Sequence, residues 1–366
     1  MPRARTSAWP LAWVYAGLIA YASLYPFGPW RDQGLVPWAF LWAPWPPYWS
    51  GFDVVANALG YAPLGFFLAL GVLRSGAPNW QLIWAPLAGL VVSACMEMLQ
   101  VYLPQRVPSS LDFLLNTAGA LVGAVLAVWL HRLGVWQRWS RLRAVWLADD
   151  AHAGLALLAL WPLALLYPTS PPLALGQVWL PLQSAVADWL QGTPWASAWE
   201  PLTQVWLEPS PLAQFWRVML GCWLPGLLAF GLAGRPAHRL VLLVLLALAG
   251  AAMLTLGQAL SLGPAHALDG WGAWTGWAVG LAVVVLVALL GMRQRMSWAL
   301  LVLVLGVFLA DISQLPGDPY AQSTLFAWEQ GRFVRFYGVA QWLSWLWPWA
   351  VLGYGLAELG SRKGPP

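Results

Sequence analysis

Acidic, amide and arginine side chains interrupt otherwise apolar sequence in the first third of the chain. They are Asp53, Asn57, Glu97, Gln100, Arg106, Asp112 and Asn116. An ionised side chain near the centre of a bilayer costs roughly 3 kcal/mol, so such residues need either a route to water or a function. A carboxylate can act as a general base, and the planar fork of an arginine binds phosphate or carboxylate. The set therefore indicates chemistry on a charged polar group, or binding of one.

The spacing of these residues places them in pairs on helix faces. The pairs are Asp53 with Asn57, Glu97 with Gln100, and Asp112 with Asn116. Residues three or four positions apart share one face of a helix, so three helices are each predicted to present one polar pair. We expect one pocket to collect all three pairs, with Arg106 above it in the short loop between the second and third of these helices.

Helix capping is the structural alternative for the two aspartates. A serine stands three positions before Asp53 and another three positions before Asp112. This is the pattern of a capping box at a helix N-terminus, which needs no substrate. Capping accounts neither for the amides nor for Glu97, which lies well inside its helix. For Glu97 the sequence leaves open a purely structural ion pair with Arg106.

Metal and nucleic-acid sites are not indicated. The four histidines are scattered and never paired at ligand spacing, so no zinc site is predicted. Oxygen ligation of Mg²⁺ or Ca²⁺ by Glu97, Asp112 and Asp53 is an alternative that the spacing does not demand. No basic stripe with interleaved aromatic residues favours nucleic acid as a partner, and the residues identify no cofactor.

The elements that must position these residues are membrane helices. Hydrophobic residues make up 60% of the chain and charged residues 9%, and the mean hydropathy is +0.63. This composition predicts an all-α, polytopic membrane helical bundle. Windows of about 20 apolar residues predict ten transmembrane helices, near 9–27, 54–73, 80–103, 111–131, 151–168, 213–233, 239–260, 271–291, 297–314 and 338–357.

The basic residues predict the orientation of these spans. Most of the 18 lysines and arginines fall on the side of the predicted topology that also holds both termini. Because cytoplasmic loops carry an excess of positive charge, both termini are predicted to be cytoplasmic. The three polar pairs then lie at the depth of the outer leaflet.

A degenerate internal repeat is predicted between the two halves of the chain. A shift of 157 positions aligns Ala94–Gly123 with Ala251–Gly280. The second copy has Leu254 at the position of Glu97, and it likewise lacks counterparts of Arg106 and Asn116. We therefore expect parallel four-helix units of which only the first has a chemical site. The predicted domains are a four-helix unit with a cytoplasmic linker at 1–150, a second four-helix unit at 151–292, and a helix pair at 293–366.

Small residues persist across this repeat. The pair Gly119 and Gly123 aligns with the pair Gly276 and Gly280. In a membrane, close approach of helices at small residues supplies much of the attraction between them. Each glycine pair is therefore expected to pack on another helix of the chain.

The motifs of the first third resemble a known family. They are Asp-x-x-x-Asn and Pro-Leu-Gly in "DVVANALGYAPLGFFLALG", and Glu-x-x-Gln, Pro-x-Arg and Asp-x-x-x-Asn-x-x-Gly in "SACMEMLQVYLPQRVPSSLDFLLNTAGALVG". In order and spacing they resemble the VanZ-like membrane proteins over about residues 9–131, whereas the later spans depart from the minimal family member. The namesake of that family is associated with resistance to teicoplanin, a lipoglycopeptide that acts on cell-wall precursors. The resemblance implies a location in the bacterial cytoplasmic membrane, amphiphiles with polar heads at the outer leaflet, and a link to glycopeptide resistance.

The expected function joins this setting to the polar residues. It is chemistry on, or binding of, a lipid head group or a lipid-linked envelope precursor. In an enzyme, Glu97 is expected to act as general base, Arg106 to hold a phosphate, and Asp112 to orient Arg106. The expected substrate-binding residues are Asp53, Asn57, Gln100 and Asn116. Two alternatives stay open: a transporter or flippase of a lipid-linked precursor, and a non-catalytic binding or accessory protein.

Overall fold

A computed structural model describes most of the chain. The described residues are 8–25, 27–76, 82–147, 151–196, 199, 210–313, 315, 323–324, 327 and 337–361. Over these ranges the chain forms helices joined by turns and loops, with no β-strand. It divides into two compact units, Met1–Leu142 and Arg143–Pro366. The predicted boundary near residue 292 is not tested by this division and stays a prediction.

The first unit is built on four apolar helices. They are α1 (Ala8–Leu24), α2 (Gly51–Arg74), α3 (Trp84–Gln100) and α4 (Ser110–Arg132), and a polar helix, α5 (Val135–Trp146), follows. The closest pair is α2 with α4, and α3 and α1 pack beside them. Serines define two of the helix starts, because Ser50 is the N-cap of α2 and Ser109 is the N-cap of α4.

Glycines of α4 allow its backbone to touch that of α2. A Cβ added at Gly119 would lie 2.8 Å from the carbonyl carbon of Ala58, and one added at Gly123 would lie 2.7 Å from that of Ala62. Only glycine fits at such distances, because any side chain would overlap the neighbouring backbone. The prediction that Gly119 and Gly123 pack closely on another helix is confirmed.

The second unit is arranged around a buried central helix. Its helices are α6 (His152–Ala164), α7 (Trp179–Leu190), α8 (Pro211–Leu232), α9 (Pro236–Leu262), α10 (Ala273–Ala288), α11 (Gln294–Ile312) and α12 (Tyr337–Gly360). Two short 3₁₀ turns, Pro264–His266 and Asp269–Trp271, join α9 to α10. Every residue of 224–232 in α8 is buried, since α6, α9, α10, α11 and α12 all contact this helix.

The glycine pair of the second unit does not pack as predicted. Gly276 and Gly280 are exposed on α10, and a Cβ added at either would meet no atom within 4 Å. The prediction that this pair packs on another helix is wrong. The buried face of α10 carries Ala278 and Ala282 instead, so the close approach uses alanines on a different side of the helix. The parallel repeat loses this support and is not confirmed.

The helices are those of a membrane protein, although fewer than the predicted ten are long and apolar enough to count as transmembrane spans. Within the described ranges, five helices are long and apolar enough to cross a bilayer: Asp53–Arg74, Ser110–Arg132, Pro211–Leu232, Pro236–Leu262 and Gln294–Ile312. A sixth would be the bent pair of Pro264–Trp271 and Trp274–Ala288, with an angle of 52°. Three other apolar helices, α1, α3 and α6, have 10–17 residues. The total of ten spans stays a prediction.

The predicted orientation can be tested by cysteine labelling in sealed cells. In a variant without the two native cysteines, a membrane-impermeant maleimide is expected to label Leu35→Cys and Gln191→Cys from outside. Ser140→Cys and Ser361→Cys should react only after permeabilisation, because the distribution of basic residues predicts that they lie in the cytoplasm. External labelling of Ser140→Cys would reverse the orientation and move the candidate site to the inner leaflet.

Candidate functional site

Glu97 lies on the buried face of α3 and binds the start of α4. Its side chain is 3% exposed, and its Oε2 atom accepts a hydrogen bond of 2.8 Å from the backbone N–H of Ser109. Ser109 is the N-cap of α4. The N-cap N–H is the donor that an acid three residues further on binds in a capping box. Here the carboxylate comes from Glu97 on the neighbouring helix α3. The free N–H groups and the helix dipole at the start of α4 stabilise its negative charge.

Asp112 joins α4 to α2. Its Oδ1 atom accepts a hydrogen bond of 2.7 Å from Nδ2 of Asn57, which is 3% exposed. The hydroxyl of Ser109 accepts from the backbone N–H of Asp112 at 3.3 Å, so the first half of the predicted capping box is present. The contact between Asn57 and Asp112 agrees with the prediction that their helices bring polar faces together.

Asp53 forms the complete capping box that the sequence offered as an alternative. Its Oδ2 atom accepts from the backbone N–H of Ser50 at 3.0 Å, and its own N–H donates to the Ser50 hydroxyl at 3.2 Å. The residue is exposed. Among the contacts of the described residues, none links Asp53 to the buried polar groups. Its predicted role in substrate binding stays a prediction.

The two remaining amides tie α3 to its neighbours. Gln100 donates from Nε2 to the carbonyl oxygen of Ser23 at the end of α1, at 2.9 Å. Asn116 donates from Nδ2 to the hydroxyl of Ser93 at 3.0 Å, and both residues are buried. The Oδ1 atom of Asn116 has no hydrogen-bond partner. A buried acceptor without a hydrogen-bond partner is unfavourable. Among the described residues of this group, Asn116 Oδ1 is the one atom to which a ligand could donate a hydrogen bond without replacing an existing one.

Arg106 reaches back to the end of α1. Its Nη2 atom donates to the carbonyl oxygens of Tyr25 at 2.6 Å and Ala22 at 3.3 Å. The last carbonyls of a helix have no partner within the helix, so a guanidinium satisfies them well. Arg106 therefore helps to close this end of the unit, and its predicted contact with a phosphate stays a prediction.

These residues form one polar cluster on α2, α3 and α4. Its members are Asn57, Ser93, Glu97, Gln100, Ser109, Asp112 and Asn116, and Arg106 flanks it. Hydrogen bonds link Asn57, Asp112, Ser109 and Glu97, and the other members lie within one turn of Glu97 or Asp112 on the same helix. The cluster lies where α1 and α3 end and where α2 and α4 begin. Apart from the bond from the Asp112 N–H to the Ser109 hydroxyl at the start of α4, its hydrogen bonds run between elements, so each of them fixes the position of two elements. The structure thus brings together six of the seven predicted site residues and leaves Asp53 outside.

The loop between α1 and α2 crosses the end of the unit that holds the cluster. The backbone N–H of Arg31 donates to the carbonyl of Tyr102 just after α3, at 2.9 Å. Phe40 is buried and its ring packs on Phe113 in the first turn of α4, with centroids 5.8 Å apart. Other aromatic side chains of the loop are exposed: Trp30, Trp38, Trp42, Trp45, Tyr48 and Trp49. Exposed tryptophans of this kind prefer the head-group region of a bilayer.

The described residues contain no metal site built on carboxylates, histidines or cysteines. No group of three such side chains lies close enough to share an ion. The alternative in which Glu97, Asp112 and Asp53 together ligate Mg²⁺ or Ca²⁺ is therefore not supported, because Asp53 lies outside the cluster.

The second unit holds charged residues whose contacts were not predicted from the sequence. Arg217 of α8 and Asp311 of α11 form a two-point ion pair, with Nε–Oδ2 and Nη2–Oδ1 distances of 2.6 and 3.0 Å. Arg239, at the start of α9, is 2% exposed and donates to backbone carbonyls. The available signal was that Arg217 and Asp311 each interrupt an apolar run, which marks an intramembrane ionisable residue that needs a partner.

Comparison with known proteins bears on the first unit. Residues 9–131 match the family model described as VanZ/LLP1. Neither a curated protein nor a solved structure gave a match to the chain. The matched segment contains α2, α3, most of α1 and nearly all of α4, and it includes every member of the polar cluster. Residues 9–131 of this helical membrane protein are therefore similar to the VanZ/LLP1 family.

Proposed function

We propose that the polar cluster of the first unit binds the head group of a lipid or of a lipid-linked envelope precursor at the outer leaflet. The observation that carries the proposal is the burial of Glu97 beside amides at one end of a membrane domain, with the Asn116 Oδ1 atom left unpaired. Intramembrane ionisable residues are expensive, and they usually mark a site rather than packing alone.

The chemistry of the cluster fits a head group that has both donors and a phosphate. The carboxylates of Glu97 and Asp112 and the amide oxygen of Asn116 accept hydrogen bonds, which suits hydroxyl, amide or ammonium groups. Arg106 adds a positive charge at the same end of the unit, which favours a phosphate nearby. The predicted outward orientation places this combination at the depth of the head groups of the outer leaflet.

The aromatic loop supports the same function. Its exposed tryptophans are suited to the interface, and its contacts just after α3 and in the first turn of α4 tie it to the end of the unit that holds the cluster. A head group would enter between this loop and the helix ends. Binding there would place the cell-wall precursor targeted by lipoglycopeptides in contact with this protein, which is the proposed link to teicoplanin resistance.

Binding is proposed ahead of catalysis because of what Glu97 already contacts. Its Oε2 atom accepts the Ser109 N–H, so this oxygen positions α4 in the structure as it stands. Head-group binding needs no proton transfer from that atom. A reaction with Glu97 as general base would require the carboxylate to contact the substrate. The same variants test this second expectation.

Glu97→Gln is the sharpest test of this function. The amide keeps an oxygen that can accept the Ser109 N–H but removes the charge, so the fold should survive. We expect at least a tenfold loss of affinity for a sugar-bearing polyprenyl diphosphate, because a hydrogen bond to a charged group is worth about 1.5–3 kcal/mol. The measurement is native mass spectrometry of the full chain in nanodiscs, with the matching polyprenol, which lacks phosphate and sugar, as the reference ligand.

The matched control is Gln105→Ala, which changes an exposed residue next to Arg106 and should leave affinity unchanged. Cells that express Glu97→Gln should also lose any protection against teicoplanin that the native chain confers. A folded Glu97→Gln protein with native affinity would remove Glu97 from the site. A Glu97→Gln protein that fails to fold would support a purely structural carboxylate. Arg106→Ala is less informative, since it also removes the hydrogen bonds to α1.

A further inference from the structure

An apolar groove runs along the first unit between the start of α3 and the second half of α4. Its volume is about 830 Å³, and sites for small molecules span roughly 300–1,000 Å³. Leu82, Ile83 and Pro86 form one wall, and the other wall is α4 from Leu121 to Arg132. Arg132 stands at one end and is the charged residue among the described residues that line the groove. The groove therefore joins a long apolar surface to a positive charge.

Small residues set the depth of this groove. A Cβ added at Gly89 would overlap the Cβ of Ala120, so α3 and α4 touch there. One turn further along α4, Ala124 lines the groove and is 6% exposed, so it forms the floor. Val125 and Trp129 also line the groove and are 59% and 57% exposed. The groove is thus a depression flanked by exposed apolar side chains.

The length of the groove matches one acyl chain. Each residue of a helix adds about 1.5 Å, so α4 rises by roughly 16 Å from Leu121 to Arg132. One leaflet contributes about 15 Å to the hydrocarbon core of a bilayer. The wall from Leu121 to Trp129 can therefore cover the chain of a single leaflet. Arg132 then lies at the level of the head group, where tryptophans such as Trp129 are also favoured.

Positive charge is concentrated at the Arg132 end of the groove. Arg132 is exposed at the last position of α4, and α5, which begins just after it, carries the exposed Arg138 and Arg141. All four acidic residues of the first unit belong instead to the end that holds the polar cluster: Asp32, Asp53, Glu97 and Asp112. Because residues 1–142 contain no other acid, an anion beside Arg132 meets arginines and no carboxylate of this unit.

We propose that this groove binds one anionic phospholipid, with an acyl chain between α3 and α4 and the phosphate at Arg132. The guanidinium donates to the phosphate oxygens, and the apolar walls cover the chain. A zwitterionic head group would bring its ammonium to the same arginines, so the charge favours an anionic lipid. The site lies where α3 begins and α4 ends, at the other end of these helices from the polar cluster. It does not depend on the function proposed for that cluster.

The test is titration of the full chain, freed of lipid in detergent, with phosphatidylglycerol, followed by native mass spectrometry. Phosphatidylcholine with the same acyl chains should bind about fivefold more weakly, and Arg132→Gln should weaken phosphatidylglycerol binding about fivefold, as expected for one arginine beside an anionic lipid. The matched control is Arg74→Gln, which removes an exposed arginine from the last turn of α2. It should leave binding unchanged, because Arg74 does not line the groove.

A second pair of variants tests the groove itself. Val125→Trp should weaken phosphatidylglycerol binding at least as much as Arg132→Gln, because the indole would occupy the space of the acyl chain. Val122→Trp is its control, since this valine of α4 is 62% exposed and does not line the groove.

Three results would overturn the proposal. They are equal affinity for the two phospholipids, equal effects of Arg132→Gln and Arg74→Gln, and native lipid binding by Val125→Trp. If Val125→Trp keeps native lipid binding but loses a dimer that the native chain forms, the groove belongs to a second copy of the chain instead.

Discussion

Gly123→Leu is expected to prevent the first unit from packing. A Cβ at this position would lie 2.7 Å from the Ala62 carbonyl carbon and closer still to its oxygen, so α2 and α4 would have to separate. Overpacking against side chains costs about 1–3 kcal/mol, and backbone atoms can yield less than side chains. We therefore expect a loss of more than about 3 kcal/mol in the free energy of unfolding, which is among the large effects seen for single substitutions.

The measurement is thermal unfolding of the purified full chain in detergent, followed by size-exclusion chromatography. Gly60→Leu is the matched control, because this glycine of α2 has no atom within 4 Å of an added Cβ. It should change stability by much less than Gly123→Leu. Equal stability of the two variants would show that the contact between α2 and α4 does not hold the first unit together.

The same substitution should disturb the polar cluster. Asn57 and Asp112 bridge α2 and α4, and Gly119, one turn before Gly123, touches the backbone of Ala58. Separation of these helices would lengthen the bridge and expose both side chains. Gly123→Leu should therefore lose the proposed head-group affinity together with stability, whereas Glu97→Gln should lose that affinity alone.

Arg239→Met is expected to unfold the second unit. The guanidinium donates to the carbonyls of Phe230 and Ala233 at the end of α8, and to those of Leu290 and Met292 between α10 and α11. Methionine keeps much of the aliphatic volume but leaves these four acceptors without the arginine. Each buried group left unsatisfied costs about 1–3 kcal/mol, so a loss of at least about 4 kcal/mol in the free energy of unfolding is expected.

Arg235→Met provides the control for this prediction. Arg235 is exposed at the N-cap of α9, four residues before Arg239. Its substitution also removes one positive charge from the same region but leaves the four carbonyls bonded. Unfolding by a graded rise of sodium dodecyl sulfate in mixed micelles should separate the two variants clearly. If Arg239→Met were as stable as Arg235→Met, the carbonyl contacts of Arg239 would be dispensable.

Local patterns in the chain predicted the features that depend on neighbours in sequence. Apolar windows located helices at each of the ten predicted segments. The serine three residues before Asp53 predicted its capping box, because both partners lie within one helical turn. Small residues four apart predicted the contact at Gly119 and Gly123, since their spacing places them on one helix face.

These local patterns did not predict which helices contact each other. The same reasoning was wrong for Gly276 and Gly280, because a small-residue face packs only if another helix lies against it. The acid that binds the Ser109 N–H is Glu97, twelve residues earlier on another helix, rather than the local Asp112.

Arg239 illustrates the same division. In the sequence it is one more basic residue at a helix end that is predicted to be cytoplasmic, and it contributes to the predicted orientation of the spans. In the structure it is buried and donates to carbonyls at the end of α8, just before it in the chain, and to carbonyls between α10 and α11, about fifty residues later. The residue type decides that a charge must be satisfied, but the packing of α8, α10 and α11 decides what satisfies it. Sequence spacing determines helical faces and caps because hydrogen bonds within a turn span only three or four residues, whereas the choice of partners across helices depends on how those faces come together.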